Sequence, residues 1–343
     1  MKKVIILTII FIFCFTGLCQ GQGLNFNVNE SMLEALKSIN ADTFRQLYGA
    51  DGSGIKVAII DTGVDVSHPD LQKTTQGKVK ITEYMDFTDE GYVNTKISVI
   101  PKNNRVTADG KNYDVAGIDT RCGIFHIGFF KESQLDKNSP IWQDVNRNGR
   151  NDDIFGVLVA DSALPGIYDT VYVDTNQNFD FSDEEPLKVY STDYKWASFG
   201  KDNPATDYVE ESSFVVSTVD INGNFVNLSF DGNGHGTHVA GIIAANGRLY
   251  GTAPGVELMA IKAISSSGEG NWEDIFNGID YAVKQGADII NVSIGDLVAS
   301  KEGHKAQLNF LKEISMESDV LIVVAAGNSG PGLSTAYDAD DNE

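Results

Sequence analysis

The 343-residue sequence predicts an α/β fold, a parallel sheet with helices on both faces that is interrupted by a long β-rich insertion. Three observations predict it. From residue 235 onward, helix-like and strand-like segments alternate, the pattern of a parallel sheet whose crossovers are helices. A β-branched run at Lys56–Asp61 ends in the tight turn Asp-Thr-Gly and supplies an earlier strand. Between these parts, residues 72–229 carry short alternating apolar runs broken by turn residues, the texture of antiparallel strands.

Taken in order, residues 1–21 stand apart. Lys2 and Lys3 precede an apolar run from Val4 to Phe15, with small residues following at Gly17, Cys19 and Gly21. That is the layout of an export signal, and it is shorter than the roughly 20 residues a membrane span needs. Cys19 admits a lipid-anchored reading, but Leu18 suits that signal poorly, so export is expected and membrane contact ends with the signal. Met32, Leu33, Leu36 and Ile39, then Phe44 and Leu47, recur at roughly helical spacing and predict a packing arm. The runs Val79–Tyr84, Phe125–Phe130, Phe155–Val159, Thr170–Val173 and Phe214–Val219 fill the insertion. Beyond it come a helix at His235–Asn246, a strand at Glu257–Ile264, a helix at Asn271–Gln285 closed by Gly286, a strand at Asp288–Ile294, a helix at Ala306–Glu317 and a strand at Val320–Ala326. Ligands of open parallel sheets gather outside the carboxyl ends of the strands. Asp61, Ser293 and Asn328 fall at such ends, and His235 opens a helix.

Composition narrows the partners. Asp and Glu number 48 against 26 Lys and Arg, a net charge of −22, and loss of Lys2 and Lys3 with the signal leaves 24 − 48 = −24. Such a surface repels nucleic acid and anionic lipid. Of three cysteines, Cys14 and Cys19 lie in or at the signal, so Cys122 has no disulfide partner and is expected to be a buried, inert thiol.

Asp61, His235 and Asn328 are the candidate chemistry. A serine hydroxyl is a poor nucleophile near neutral pH. It needs an imidazole to take its proton and a carboxylate to orient that imidazole. Asp61 in Asp-Thr-Gly and His235 in Gly-His-Gly-Thr-His-Val-Ala fit those parts, with Gly234 and Gly236 letting the backbone turn tightly beside the ring. His238, three positions along, is expected to be structural. A zinc site built on His235 and His238 is rejected, because the spacing is i, i+3 with no glutamate between.

These blocks resemble the subtilisin-like serine peptidases. Val57–Asp65 is similar to that family's aspartate motif and Gly234–Gly241 to its histidine motif. Asn291–Gly295 resembles its substrate-binding strand, and Val324–Asn328 the segment carrying the oxyanion asparagine. The resemblance implies amide hydrolysis of peptide or protein substrates through an acyl-enzyme, with no cofactor required. It implies catalytic Asp61 and His235, an oxyanion donor at Asn328, and substrate binding at Ser293, Ile294 and Gly295. Residues 22–71 then hold an N-terminal arm and the first part of the peptidase domain, 72–229 the insertion, and 230–343 an incomplete second part. No serine in a Gly-Thr-Ser-x-Ala context occurs before Glu343, so the catalytic serine is absent from this sequence and the piece alone is expected to be inactive. The long separation of Asp61 from His235, with strings such as Lys80-Ile-Thr-Glu-Tyr-Met-Asp and Gly330-Pro-Gly-Leu-Ser-Thr, resembles the tripeptidyl peptidase II branch. That likeness implies removal of tripeptides from free N-termini, with Glu269 and Asp296 holding the substrate ammonium. The other classes left open are a non-catalytic peptide-binding pseudoenzyme and a secreted calcium-binding structural module.

The calcium reading rests on two loops. One places oxygen side chains at Asp144, Asn146, Asn148 and Asp152, the other at Asp174, Asn176, Asn178, Asp180 and Glu185. Alternating oxygens on a tight turn wrap a hard cation. Asx-rich hairpin turns explain the same pattern, and oligomeric state has no signature here.

Overall fold

The computed structural model describes residues 28–203, 205, 210–295 and 301–328. Two short helices, α1 (Val28–Ser38) and α2 (Ala41–Tyr48), precede strands β1 (Lys56–Asp61) and β2 (Ile81–Asp86). The intervening segment then supplies β3 (Tyr92–Asn94), β4 (Ile97–Val99), β5 (Arg105–Ala108), β6 (Lys111–Asp114), β7 (Phe125–Lys131), β8 (Ile154–Ala160) and β9 (Thr170–Val173). After a short helix, α3 (Tyr190–Asp193), come β10 (Ala197–Phe199), β11 (Ser212–Val219) and β12 (Phe225–Ser229). There follow α4 (His235–Ala244), β13 (Glu257–Lys262), α5 (Trp272–Lys284), β14 (Ile289–Val292), α6 (Lys301–Glu317) and β15 (Leu321–Val324).

The main sheet runs β15-β14-β1-β13-β2, and every neighbouring pair is parallel. Side chains alternate across a strand, so β1 sends its apolar residues to opposite faces. Val57 and Ile59 pack with Ala240 and Ala244 of α4, while Ala58 and Ile60 pack with Ile275, Ile279 and Ala282 of α5. Phe310, Leu311 and Ile314 of α6 join the α5 side. Helices therefore cover both faces, which is why the buried strands read as continuous apolar runs. This is the α/β architecture that the alternation predicts.

Residues between β2 and α4 form antiparallel sheets. One runs β10-β11-β12-β3 and the other β4-β7-β8-β9, with β5 and β6 as a separate hairpin. The two larger sheets share one core, in which Phe130, Phe155, Val157 and Val171 meet Phe199, Phe214, Val226 and Leu228. Phe199 stacks on Phe214 at a centroid distance of 4.3 Å and on Phe130 at 5.3 Å. Strand β11 joins the two cores. Phe214 and Val216 face the antiparallel core, while Val215 between them packs with the main-sheet cluster of Leu71, Tyr84 and Tyr190.

Three expectations need correction. The run Val79–Tyr84, expected among antiparallel strands, is realised as β2 and lies parallel to β13 at the edge of the main sheet. It is an edge strand, and within it only Ile81, Tyr84 and Asp86 are buried. The N-terminal arm packs less than expected: Leu36 is buried, but Leu33, Ile39, Phe44 and Leu47 are exposed. Its helices are short and lean on each other, with Arg45 Nη1 donating to the Gly251 carbonyl at 3.1 Å as a tether. Cys122 is exposed, not buried, because it sits in a turn whose backbone amide is held by Asp161 Oδ2 at 3.0 Å.

Candidate active site

Asp61 ends β1 at the carboxyl edge of the sheet and is 1% exposed. The chain must turn sharply there. Thr62 N donates to Asp61 Oδ1 at 2.7 Å, and Gly63 adopts φ +110°, a conformation open to glycine. No side chain would fit at Gly63 in any case: an added Cβ would stand 2.6 Å from the Tyr84 hydroxyl and 3.1 Å from the Phe230 carbonyl oxygen.

His235 is delivered from the other side by a loop built on Asp231. Its Oδ1 accepts from Thr62 Oγ1 at 2.9 Å, Gly234 N at 2.8 Å and Asn233 N at 3.2 Å. Oδ2 accepts from Thr237 N at 3.0 Å and Thr237 Oγ1 at 2.5 Å. One carboxylate thus holds amides opening α4 and fastens them to the turn after β1, as negative charge at a helix N-terminus should. Gly236 N donates to Thr62 Oγ1 at 3.0 Å. The approach is so close that a Cβ on Gly236 would lie 2.0 Å from the Gly63 carbonyl oxygen and 3.2 Å from Asp61 Cβ.

The result is a contact between His235 Nδ1 and Asp61 Oδ1 at 2.8 Å, across 174 residues of sequence. A carboxylate on Nδ1 fixes the proton there and leaves Nε2 as the basic nitrogen. The imidazole is half exposed while its partner carboxylate is buried. The hydrogen bond to Asp61 holds the imidazole above its ordinary pKa; burial opposes this, and the charges of Asp61 and Asp231 add to it. His238 is exposed on the next turn of α4.

The remaining candidates divide. Ser293, Ile294 and Gly295 continue β14 past its end, with Asn291 Nδ2 donating to Ser293 Oγ at 2.8 Å. Gly295 approaches Gly327, whose Cα would lie 3.1 Å from a Cβ added to Gly295. Asn328 follows β15 and is exposed. Glu269 is exposed and lines a cavity of about 530 Å³ with Asp89, Glu90, Asp136, Ser265 and Ser267. Asp296 lies outside the described residues.

The two Asx-rich loops repeat one geometry. Asp144 Oδ1 and Asn146 Oδ1 both accept from Asn148 N, at 3.0 and 3.3 Å; Asp174 Oδ1 and Asn176 Oδ1 both accept from Asn178 N, each at 3.0 Å. Asp153 closes the first loop by accepting from the side-chain amides of Asn146 and Asn148, and Asp183 does the same for Asn176 and Asn178. Asp152, Asp180 and Glu185 turn elsewhere, to Arg150, Ser182 and Lys195. No group of three or more His, Cys, Asp and Glu side chains is placed to hold a metal among the described residues. EF-hand spacing does not point to the closing acids Asp153 and Asp183; their shared position nine residues after the first aspartate is the signal in the sequence that does. Asp231 is likewise absent from the sequence-based candidates, though an aspartate in an Asp-Gly-Asn-Gly turn is a recognisable amide clamp.

An α/β sheet with a buried carboxylate holding an imidazole at its strand ends is a serine-peptidase scaffold. The chain belongs to the Subtilase family, peptidase S8, which matches residues 52–342. It is similar to pyrolysin of Pyrococcus furiosus, 33% identical over 356 residues, covering 86% of this chain and 24% of pyrolysin. Subtilisin DY of Bacillus licheniformis is 44% identical over 103 residues, 29% of this chain and 36% of that protein. A solved structure of tripeptidyl peptidase II matches with a TM-score of 0.62 at 19% identity, over 84% of this chain and 27% of that one. The chain therefore spans about a quarter of the length of pyrolysin and of tripeptidyl peptidase II. Among the described residues, no helix is long and apolar enough to cross a membrane.

Proposed function

We propose that this chain carries the acid and base of an exported serine peptidase that cleaves peptide bonds through an acyl-enzyme. The 2.8 Å contact between Asp61 and His235 supports this reading most directly. His235 Nε2 takes the proton of the catalytic serine, a residue this sequence does not include, and Asp61 fixes the imidazole tautomer and stabilises the imidazolium. Asn328 donates its amide to the oxyanion, a contribution of about 10²–10³ in turnover when such a donor is removed from subtilisin. Ser293–Gly295 pairs with the substrate backbone. In the full-length protein, Asp61→Asn should lower kcat by about 10⁴ and His235→Ala by about 10⁶, with fluorophosphonate labelling of the serine lost in parallel. Full turnover by His235→Ala would overturn the assignment.

Glu269 and Asp296 extend the proposal to tripeptidyl specificity, Glu269 by its place on the cavity wall. Their carboxylates bind a substrate α-ammonium, so a free tripeptide amide should be cleaved faster than its N-acetylated form. Equal rates would remove this specificity. Export through residues 1–21 completes the assignment, checked by the N-terminus of protein recovered from the medium or periplasm.

A structural cation is a second element of the proposal. Each loop gathers two aspartates and two asparagines around one turn, a set of hard oxygen donors that suits Ca²⁺ once the asparagine amides rotate. Asp144, Asn146, Asn148 and Asp153 would hold one ion, and Asp174, Asn176, Asn178 and Asp183 the other. Calcium should then raise the melting temperature and EGTA lower it, with Tb³⁺ luminescence lost in Asp144→Ala and Asp174→Ala. Melting indifferent to both additives would exclude it.

A further inference from the structure

Three ionisable side chains meet at the carboxyl ends of adjacent strands: Asp61 of β1, Lys262 of β13 and Asp86 of β2 stand in register. All three are buried, Lys262 completely. A buried ammonium needs partners for its donors, because desolvation is costly. Lys262 Nζ donates to the Thr62 carbonyl at 2.7 Å and pairs with Glu90 Oε2 at 3.0 Å. The Phe230 ring lies 5.9 Å from the same ammonium.

Neither partner is incidental. Thr62 is the residue whose amide binds Asp61 Oδ1 and whose hydroxyl bridges Asp231 Oδ1 and Gly236 N. Glu90 lies beyond β2 and also accepts from Ser266 N at 3.1 Å and Ser266 Oγ at 2.8 Å, on the loop after β13 that continues to Glu269. The ammonium therefore joins the turn bearing the acid to the wall of the 530 Å³ cavity that Glu90, Ser265 and Glu269 line. A short, charge-assisted hydrogen bond fixes the Thr62–Gly63 peptide, and with it the position of Thr62, whose amide holds Asp61 Oδ1.

We propose that Lys262 is a positioning residue for the Asp61–His235 pair, its ammonium clamping the Thr62 carbonyl while Glu90 ties that clamp to the cavity wall. The inference rests on the catalytic reading above. The charges that act on the imidazole are those of Asp61 from β1 and Asp231 from the loop before α4. Loss of the clamp loosens the Asp61 hydrogen bond that holds the imidazole above its ordinary pKa, so the acid limb of the kcat profile should move to lower pH.

The test uses the complete enzyme. Lys262→Met should lower kcat by about 10–10²-fold with KM within a factor of about two, because misplacing a reacting group by an ångström has that effect. Its acid limb should move to lower pH. The double variant Lys262→Met/Glu90→Gln removes both charges of the ion pair, while Asp86, which also feels the Lys262 charge, keeps its hydrogen bonds from Thr88 N, Thr88 Oγ1 and Ser229 Oγ. If Lys262 acts on Thr62, the double variant keeps the kcat defect; if Lys262 only neutralises Glu90, kcat returns to normal and the inference is overturned. Glu90→Gln alone should retain most of kcat. Should both lysine variants fail to fold, the native protein decides by NMR. A slowly exchanging Lys262 ammonium with scalar coupling to the Thr62 carbonyl carbon supports the clamp, and its absence rejects it. Activity surviving in Asp61→Asn or His235→Ala would sink the catalytic reading instead, so the two failures are distinguishable.

Discussion

Gly236→Ala tests how tightly the site is assembled. The added methyl would lie 2.0 Å from the Gly63 carbonyl oxygen, where at least about 3.0 Å is needed, so something must move by about 1 Å. The turn is held by Thr62 N on Asp61, by Thr62 Oγ1 on Asp231 and by Val64 N donating to the Tyr84 hydroxyl. Movement falls on the start of α4, which carries His235. A retreat of about 1 Å would stretch the 2.8 Å contact with Asp61 beyond hydrogen-bond length and strain the Gly236 N bond to Thr62 Oγ1. The expected result is about 1–3 kcal/mol of lost stability and roughly 10²-fold lower kcat/KM in the complete enzyme. NMR titration of the His235 imidazole reads the geometry directly. Its pKa is held high chiefly by the Asp61 hydrogen bond, so in the variant it should fall toward the ordinary histidine value. An unchanged titration midpoint with native kcat/KM would refute the steric argument.

Other perturbations follow from the same structure. The His235 pKa is raised in the folded state, so its contribution to stability is full below the unfolded-state value of about 6.5 and is lost as pH rises through the folded value. Asp61→Asn should flatten that component, seen by urea unfolding at pH 5 and pH 8; an unaltered slope would contradict it. Burial pushes the Glu132 carboxyl up to about 7, against the opposing pull of hydrogen bonds from Asp153 N and Val145 N. Its contribution is therefore greatest below about 4.5 and falls as pH rises through about 7, a trend that Glu132→Gln should abolish in the same unfolding series. Because Phe44 and Leu47 are exposed, Phe44→Ser and Leu47→Ser should each change stability by no more than about 0.5 kcal/mol. A larger loss would show that the arm is held by contacts at these positions.

Legibility in the sequence tracks the range of the interactions involved. The order of β13, α5, β14, α6 and β15 is readable because each segment's periodicity is set by its own burial. Asp61 and His235 are readable because the backbone demands of a buried carboxylate turn and a tightly packed helix start leave glycines beside them in sequence. The sequence pattern misplaces β2 because an edge strand of a parallel sheet is partly exposed, and its mixed apolar and polar residues read like those of an antiparallel strand. Lys262 gives little warning, although a lysine ending the apolar run Leu258–Ile261 is unusual; its meaning depends on Thr62 and Glu90, which are distant in sequence. The exposure of the arm is equally hidden, since helical spacing of apolar residues says nothing about whether a surface exists to receive them.

The connection between acid and base has a kinetic consequence. A contact spanning 174 residues forms late if the chain between its ends is unstructured, because loop closure must precede any reward. Here β2 leaves the main sheet beside β13, and β11 returns to pack Val215 into the main core before the chain reaches Asp231. Antiparallel pairing within the detour draws its two ends together, shortening the effective loop. The Asp61–His235 contact would then form only after that segment has folded, making the detour an internal timer on its assembly.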